Sequence, residues 1–325
     1  MWIPILLFIV GLVLLVKGGD WFVDGATGIA HRFHLPELLI GATVVSIGTT
    51  LPEVMVSASS AVLGHGEIAY GNAIGSIICN TSLIAALTVA IRPGDVDRKS
   101  LLTPTLFFFS AAAVYMLTAY FYSFTRLIGI LLLLMFVIYM VITVRQLRAT
   151  PASLGAAEEQ PAADEAPSGK AWKDIVLLVV GAVLIAFGAK LLVDNGTVIA
   201  EWLGVPESVI ALTFVALGTS LPELMTAITA LIKGHSALSL GNIVGANLFN
   251  IVLVSGVSVT LSPFALPQGK TLAGMNASLV LDLPLMVCVM ALLTLPALKK
   301  GKLGRWQGIV LLTVYAAFCV FQFAA

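Results

Sequence analysis

The chain has 325 residues, 59% of them hydrophobic and only 10% charged, with 17 acidic and 17 basic side chains. A soluble domain is nearer a quarter charged, and a mean hydropathy of +1.04 in apolar runs near twenty residues long describes an all-α integral membrane protein rather than a barrel of short strands. Zero net charge and a pI near 6.9 offer nucleic acid no basic surface to bind.

In chain order the apolar runs fall at 2–17, 36–63, 68–91, 101–121, 126–144, 174–193, 206–232, 238–264, 278–297 and 306–324, which predicts ten transmembrane helices. The first run has no basic residue before it, and Lys17 follows it, so it reads as a retained span rather than a cleaved signal. Between the fifth and sixth runs lies QLRATPASLGAAEEQPAADEAPSGK, too polar and proline-rich to bury apolar surface. The expected organisation is therefore a five-helix half at 1–146, a flexible cytoplasmic linker at 147–172 and a second half at 173–325. Cys79, Cys288 and Cys319 stand singly in apolar runs and read as small hydrophobes, not as a disulfide or metal framework.

Ten spans decide which loops share a side. The loops after the odd-numbered spans hold 14 of the 17 basic residues, and the positive-inside rule makes that side cytoplasmic. Both termini are then expected to face out. The halves also repeat. A shift of 170 aligns PELLIGATVVSIGTTLPEVM (36–55) with PESVIALTFVALGTSLPELM (206–225), and GNAIGSIICN (71–80) with GNIVGANLFN (241–250). Across 36–80, 17 of 45 positions are identical, and they include Pro, Gly, Asn, His and Glu rather than generic aliphatics. Five spans per copy is an odd number, so the second copy enters from the opposite side, as two inverted five-helix repeats.

The repeated motif puts Glu53 and Glu223 near the middle of their spans. A carboxylate there costs roughly 2.5–3.5 kcal/mol or more. No lysine or arginine lies at that depth in spans 2, 3, 7 or 8, so a mobile cation is the expected counter-charge. Pro52 and Pro222 lack an N–H and free the carbonyls of Gly48 and Gly218. Thr49 precedes Glu53 by one turn, with Ser46 and Thr50 on nearby faces, and Thr219, Ser220 and Ala216 repeat the arrangement around Glu223. Asn72, Ser76 and Asn80 form a polar stripe on the next span; Asn242 and Asn250 repeat it, and Ala246 interrupts it. Carboxylates, hydroxyls, amides and freed carbonyls suit hard cations such as calcium or sodium. Blander readings apply elsewhere: Asn72 and Asn242 as ligands or as glue between helices, His65 and His235 as solvated loop residues, Asp24 and Asp194 as caps or braces, Asp282 as an interfacial residue.

GTTLPE…GNAIGSIICN and GTSLPE…GNIVGANLFN resemble the two alpha repeats of the calcium/cation antiporter superfamily, and most nearly bacterial sodium/calcium exchanger-type proteins. The resemblance implies four clustered cation sites between spans 2, 3, 7 and 8. Glu53 and Glu223 match the central calcium-binding glutamates, with Thr49 and Thr219 completing that site. Ser46, Thr50 and Ser76 match an inner sodium site, Ala216 and Ser220 an outer one, and Asn80 and Asn250 a middle one. Thr50 for the usual serine keeps the hydroxyl, whereas Ala246 for serine and Asn250 for an acidic residue bear on sodium stoichiometry and coupling. The implied activity is sodium-driven calcium exchange by alternating access in an inner membrane, with spans 1 and 6 sliding. No cofactor is expected, the ions and the bilayer are the partners, and a monomer is the expected working unit. Proton or potassium coupling is the alternative. A channel does not need an inverted internal pair, and an intramembrane hydrolase needs a nucleophile–base pair that the chain lacks at depth.

Overall fold

The computed structural model describes residues 2–121, 123–149, 171–202, 218–268, 271–272 and 274–324. Most of the linker (150–170) and the start of the seventh apolar run (203–217, with Ala216) lie outside the described residues. The helices are α1 (Trp2–Arg32), α2 (Glu37–Val62), α3 (Gly66–Ile91), α4 (Arg98–Tyr120), α5 (Arg126–Ala149), α6 (Ala171–Trp202), α7 (Leu221–Lys233), α8 (Ser236–Leu261), α9 (Ser278–Lys300) and α10 (Arg305–Ala324). Among the described residues, eight of them (α1–α6, α8 and α9) are long and apolar enough to cross a membrane. The chain is a mostly helical, multi-pass membrane protein.

Two compact units divide the chain. One is Met1–Thr49 with Arg145–Asn242, the other Thr50–Val144 with Ile243–Ala325. Each takes segments from both sequence halves, and α2, α5 and α8 run from one unit into the other.

In the first unit, Leu15, Phe22, Val23, Ala26 and Ala30 of α1 form a core with Ile40 and Val45 of α2, Ile185 and Ala189 of α6, Ala230 of α7 and Leu238 of α8. α1 extends well past residue 17, where the sequence suggests an end, and Lys17 sits inside the helix with its side chain 65% exposed. The GlyGly pair that follows does not break the helix because its glycines are packing surface. A Cβ on Gly18 would lie 2.8 Å from the backbone nitrogen of Ile185, and one on Gly181 would lie 2.8 Å from the Gly18 carbonyl. Gly11 and Gly188 meet in the same way, so the two helices run antiparallel with backbones in contact, the close approach that small residues allow. Asp174 at the start of α6 accepts from the Arg32 Nε at 2.9 Å.

In the second unit, α3 packs on the middle of α8, α10 on α3, and α9 on α4. Tyr70, Tyr115, Phe124 and Phe264 form an aromatic cluster with ring centroids 4.6–6.4 Å apart. α4 opens on Asp97, whose carboxylate accepts from the backbone N–H groups of Lys99 and Ser100. Two short antiparallel ribbons tie loops together. β1 (Gly94–Asp95) pairs with Lys302–Leu303, and β2 (Ser123–Phe124) with β3 (Phe264–Ala265).

The sequence repeat has a counterpart in conformation. α3 is regular over 66–79, widens into a π-helical turn at Asn80–Ala85 and returns to α-helix over 86–91. α8 does the same over 236–249, Asn250–Ser255 and 256–261, each boundary displaced by 170 residues. Both π turns begin on the asparagine that closes the motif. Further π turns occupy Gly41–Val45 in α2 and Ser278–Asp282 in α9. A π turn leaves backbone groups off the regular ladder, and such turns gather at functional sites.

Candidate functional site

Glu53 lies inside α2 directly after Pro52, with the helix continuous through the proline, and is 0% exposed. Its copy is built differently. Thr219 and Ser220 form a turn, Ser220 precedes the first residue of α7, and Pro222 and Glu223 fall in that helix's first turn. Proline is tolerated there because no intrahelical N–H is needed, and the positive end of the helix dipole favours a carboxylate. Glu223 is also 0% exposed.

Of the predicted site residues, the first unit holds Ser46, Thr49, Thr219, Ser220 and Glu223. The Ser46 Oγ donates to the Gly41 carbonyl at 2.7 Å, inside the π turn, and lies 2.9 Å from the Asn242 carbonyl. The Thr49 Oγ1 donates to the Asn242 Oδ1 at 3.2 Å. The approach of α2 to α8 here is backbone against backbone. A Cβ on Gly41 would collide with the Leu238 carbonyl, and one on Gly241 with the Leu38 carbonyl. The Ser220 Oγ is buried with no hydrogen-bond partner among the described residues.

The second unit holds Thr50, Glu53, Ser76, Asn80 and Asn250. Asn72 of α3 donates to the Ser57 Oγ at 2.8 Å and to the Glu53 carbonyl at 3.3 Å, which fixes α3 against the turn that carries the glutamate. Ser76 is 4% exposed, and Thr50, Asn80 and Asn250 are 0% exposed. The Thr50 Oγ1 and both side-chain polar atoms of Asn80 and of Asn250 have no hydrogen-bond partner among the described residues. Each such buried orphan costs about 1–3 kcal/mol unless something satisfies it. Their oxygens match a hard cation carried as substrate. Among the described residues no three His, Cys, Asp or Glu side chains form a metal-holding group.

Asn242 has a larger role than its place in the polar stripe suggests, since it receives two of the predicted site residues. These bonds bear out the reading of Asn242 as glue between helices. One expectation outside the site needs correction. His235 is not a solvated loop residue: its Nδ1 lies 2.8 Å from the Glu37 Oε1, and the His31 Nε2 lies 3.3 Å from the same oxygen. Of the two readings for Asp24, cap or brace, the brace holds: it pairs with the Lys233 Nζ at 2.7 Å. Asp194 pairs with Lys190 at 2.8 Å, which balances the one basic residue inside the sixth span.

Comparison with known proteins follows the same lines. The family model described as sodium/calcium exchanger protein matches residues 3–145 and 173–324. An uncharacterised membrane protein of Methanocaldococcus jannaschii is 36% identical over 95% of this chain and 94% of its own length. Sodium/calcium exchanger MaX1 of Methanosarcina acetivorans is 29% identical over 98% of each. Inner membrane protein YrbG of Escherichia coli is 37% identical over 79% of each. Among solved structures, the sodium-calcium exchanger NCX_Mj soaked with zero Na+ and Ca2+ aligns with a TM-score of 0.81 and 34% identity, covering 98% of both chains. A doubled motif, buried glutamates, neutral oxygens and matches along nearly the whole length lead to one conclusion: this chain is a member of the sodium/calcium exchanger protein family.

Proposed function

We propose that the protein is a secondary antiporter that exchanges calcium for sodium by alternating access, with Glu53 and Glu223 as the central calcium ligands. Thr49 and Thr219 complete that centre. Ser46, Thr50 and Ser76 serve an inner sodium site, Ala216 and Ser220 an outer one, and Asn80 and Asn250 a middle one. The observation that carries the reading is the duplicated glutamate, wholly buried in both copies and accompanied, among the described residues, by unpartnered buried oxygens at Ser220 in one unit and at Thr50, Asn80 and Asn250 in the other. Two carboxylates neutralise one divalent ion or two monovalent ones. Competition for one charge pair therefore gives exchange with no resident cofactor and no chemical step.

The same reading takes the chain as ten spans in two inverted repeats joined by the 147–172 linker, working as a monomer in an inner membrane with both termini outside. The matched conformations of α3 and α8 support the repeat. The ribbons support the sidedness: the pairing of β1 with Lys302–Leu303 joins two loops on the basic-rich side, and β2–β3 joins two on the other.

Sodium/potassium/calcium exchanger 4 of mouse is 30% identical over 46% of this chain, and with the neutral Asn250 it keeps potassium or proton coupling as the second reading. Calcium-45 uptake into proteoliposomes separates the two. Sodium-loaded vesicles are expected to take up calcium, and vesicles with only a potassium or proton gradient are not. Uptake that follows potassium or protons and ignores sodium would overturn sodium coupling.

A further inference from the structure

Asn247 belongs to none of the sites above, yet its surroundings are those of a ligand. It lies in α8 and is 0% exposed. Its Nδ2 donates to the Thr81 Oγ1 at 2.7 Å and to the Met290 Sδ at 3.1 Å. The Thr81 hydroxyl donates to the Ile77 carbonyl at 2.8 Å, so it faces Asn247 as an acceptor. That fixes the amide: Nδ2 must face Thr81 and Met290, and Oδ1 must face away from them. The Oδ1 is buried and has no donor among the described residues. α8 therefore presents a second amide oxygen one turn before Asn250, whose side chain is likewise without partners.

The repeat says why an amide stands here. Ser76 and Ile77 of the first copy correspond to Ala246 and Asn247 of the second, so the polar group has moved one position along the helix. At 3.6 residues per turn, positions 246, 250 and 247 fall within an arc of about 100° on one face. The hydroxyl lost at Ala246 is replaced from the neighbouring position. Bracing alone does not demand this, because the equivalents of Asn247 and Thr81 in the other copy are Ile77 and Ile251, both buried and apolar.

We infer that the Asn247 Oδ1 is a ligand for a transported sodium ion, standing in for the hydroxyl absent at Ala246, and that Thr81 and Met290 are positioning residues that hold its amide. The inference rests on the sodium/calcium reading above. A neutral oxygen adds no charge, which suits a monovalent ion more than a divalent one already neutralised by two glutamates.

The test uses the full chain in proteoliposomes with two assays, sodium-driven calcium-45 flux against sodium concentration and calcium–calcium exchange without sodium. Asn247→Ala is expected to raise half-saturating sodium about tenfold, or about 1.4 kcal/mol, while half-saturating calcium in the sodium-free assay stays within roughly twofold. Adding Ala246→Ser to Asn247→Ala returns the hydroxyl to its place in the first copy, and half-saturating sodium should fall back most of the way. Thr81→Val should give a smaller rise of the same kind. If Asn247→Ala does not fold, Asn247→Ser removes the amide oxygen more gently and should still raise half-saturating sodium. An unchanged sodium dependence in the folded variant overturns the inference, even if rate or melting temperature falls, as would an equal shift in both assays. Absence of sodium-driven flux in the unmodified protein would instead overturn the sodium/calcium reading, and the sodium assignment of Asn247 with it.

Discussion

Glu53 and Glu223 are both wholly buried, and each follows a proline that its helix tolerates for a different reason. A glutamine at either position keeps shape and hydrogen bonding but removes one charge, leaving a divalent guest with an uncompensated positive charge where such charge is expensive. Glu53→Gln and Glu223→Gln are each expected to lower calcium exchange at least about a hundredfold, or about 2.7 kcal/mol in the barrier. Melting temperature should change little, since glutamine keeps the shape and hydrogen-bonding capacity of the side chain. Calcium-45 exchange and thermal unfolding on the same preparation check this, and near-normal exchange by both variants would remove the two-glutamate centre. The glutamates were legible in sequence because the chain avoids charge at depth and repeats this exception. Asn242 was legible only as an alternative, ligand or glue between helices, since spacing puts an amide on a face without naming the hydroxyl it meets. Asn242→Ala takes the acceptor from Thr49 but leaves Ser46 with the Gly41 carbonyl and the residue 242 backbone. The expected loss of stability is therefore small, about 1 kcal/mol, read as a modest fall in melting temperature.

At the scale of elements, apolar runs located the helices, but their ends were misplaced wherever glycine stood for packing rather than termination. α1 runs to Arg32 and α6 to Trp202 because their glycines are closed over by the partner backbone, which no single-helix pattern reveals. The π turns were hidden for a related reason. Asn80 and Asn250 look like ordinary helical polar residues, and the widening of the helix after them is a tertiary accommodation. The glycine seam can be tested against an open glycine. Gly18→Ala places a methyl 2.8 Å from the Ile185 nitrogen, where only backbone movement relieves it, whereas Gly71 has nothing within 4 Å. Gly18→Ala is expected to cost about 1–3 kcal/mol through overpacking. Gly71→Ala is expected to be neutral or stabilising by about 0.5–1 kcal/mol, since alanine is the better helix former. Unfolding of both variants in one detergent decides the matter, and equal stability would mean the seam yields without cost.

At the scale of the molecule, the repeat was legible because its identities fall on residues with special chemistry, and the same offset reappears in the helix boundaries. The division into units was not legible, because each draws on both halves while sequence order shows only one half after the other. Sidedness rests on the basic residues, 13 of 17 at or near the loops of one parity once Lys17 is counted inside α1, and a bias in Lys and Arg near span ends is what orients insertion. The ribbons and the Arg32–Asp174 pair join only loops of like parity, so one labelled position reports for its side. Two positions suit a thiol probe on a background lacking the three native cysteines. His65, after α2, is exposed, whereas a Cβ at the neighbouring Gly66 would run into Phe264. Asp95 in β1 is 80% exposed, and replacing it leaves the count of basic residues intact. In cells with an intact inner membrane, a membrane-impermeant maleimide is expected to label His65→Cys from outside and to reach Asp95→Cys only after permeabilisation. The reverse pattern would invert the molecule in the membrane, leaving the repeat intact but exchanging the faces from which the proposed inner and outer sodium sites load.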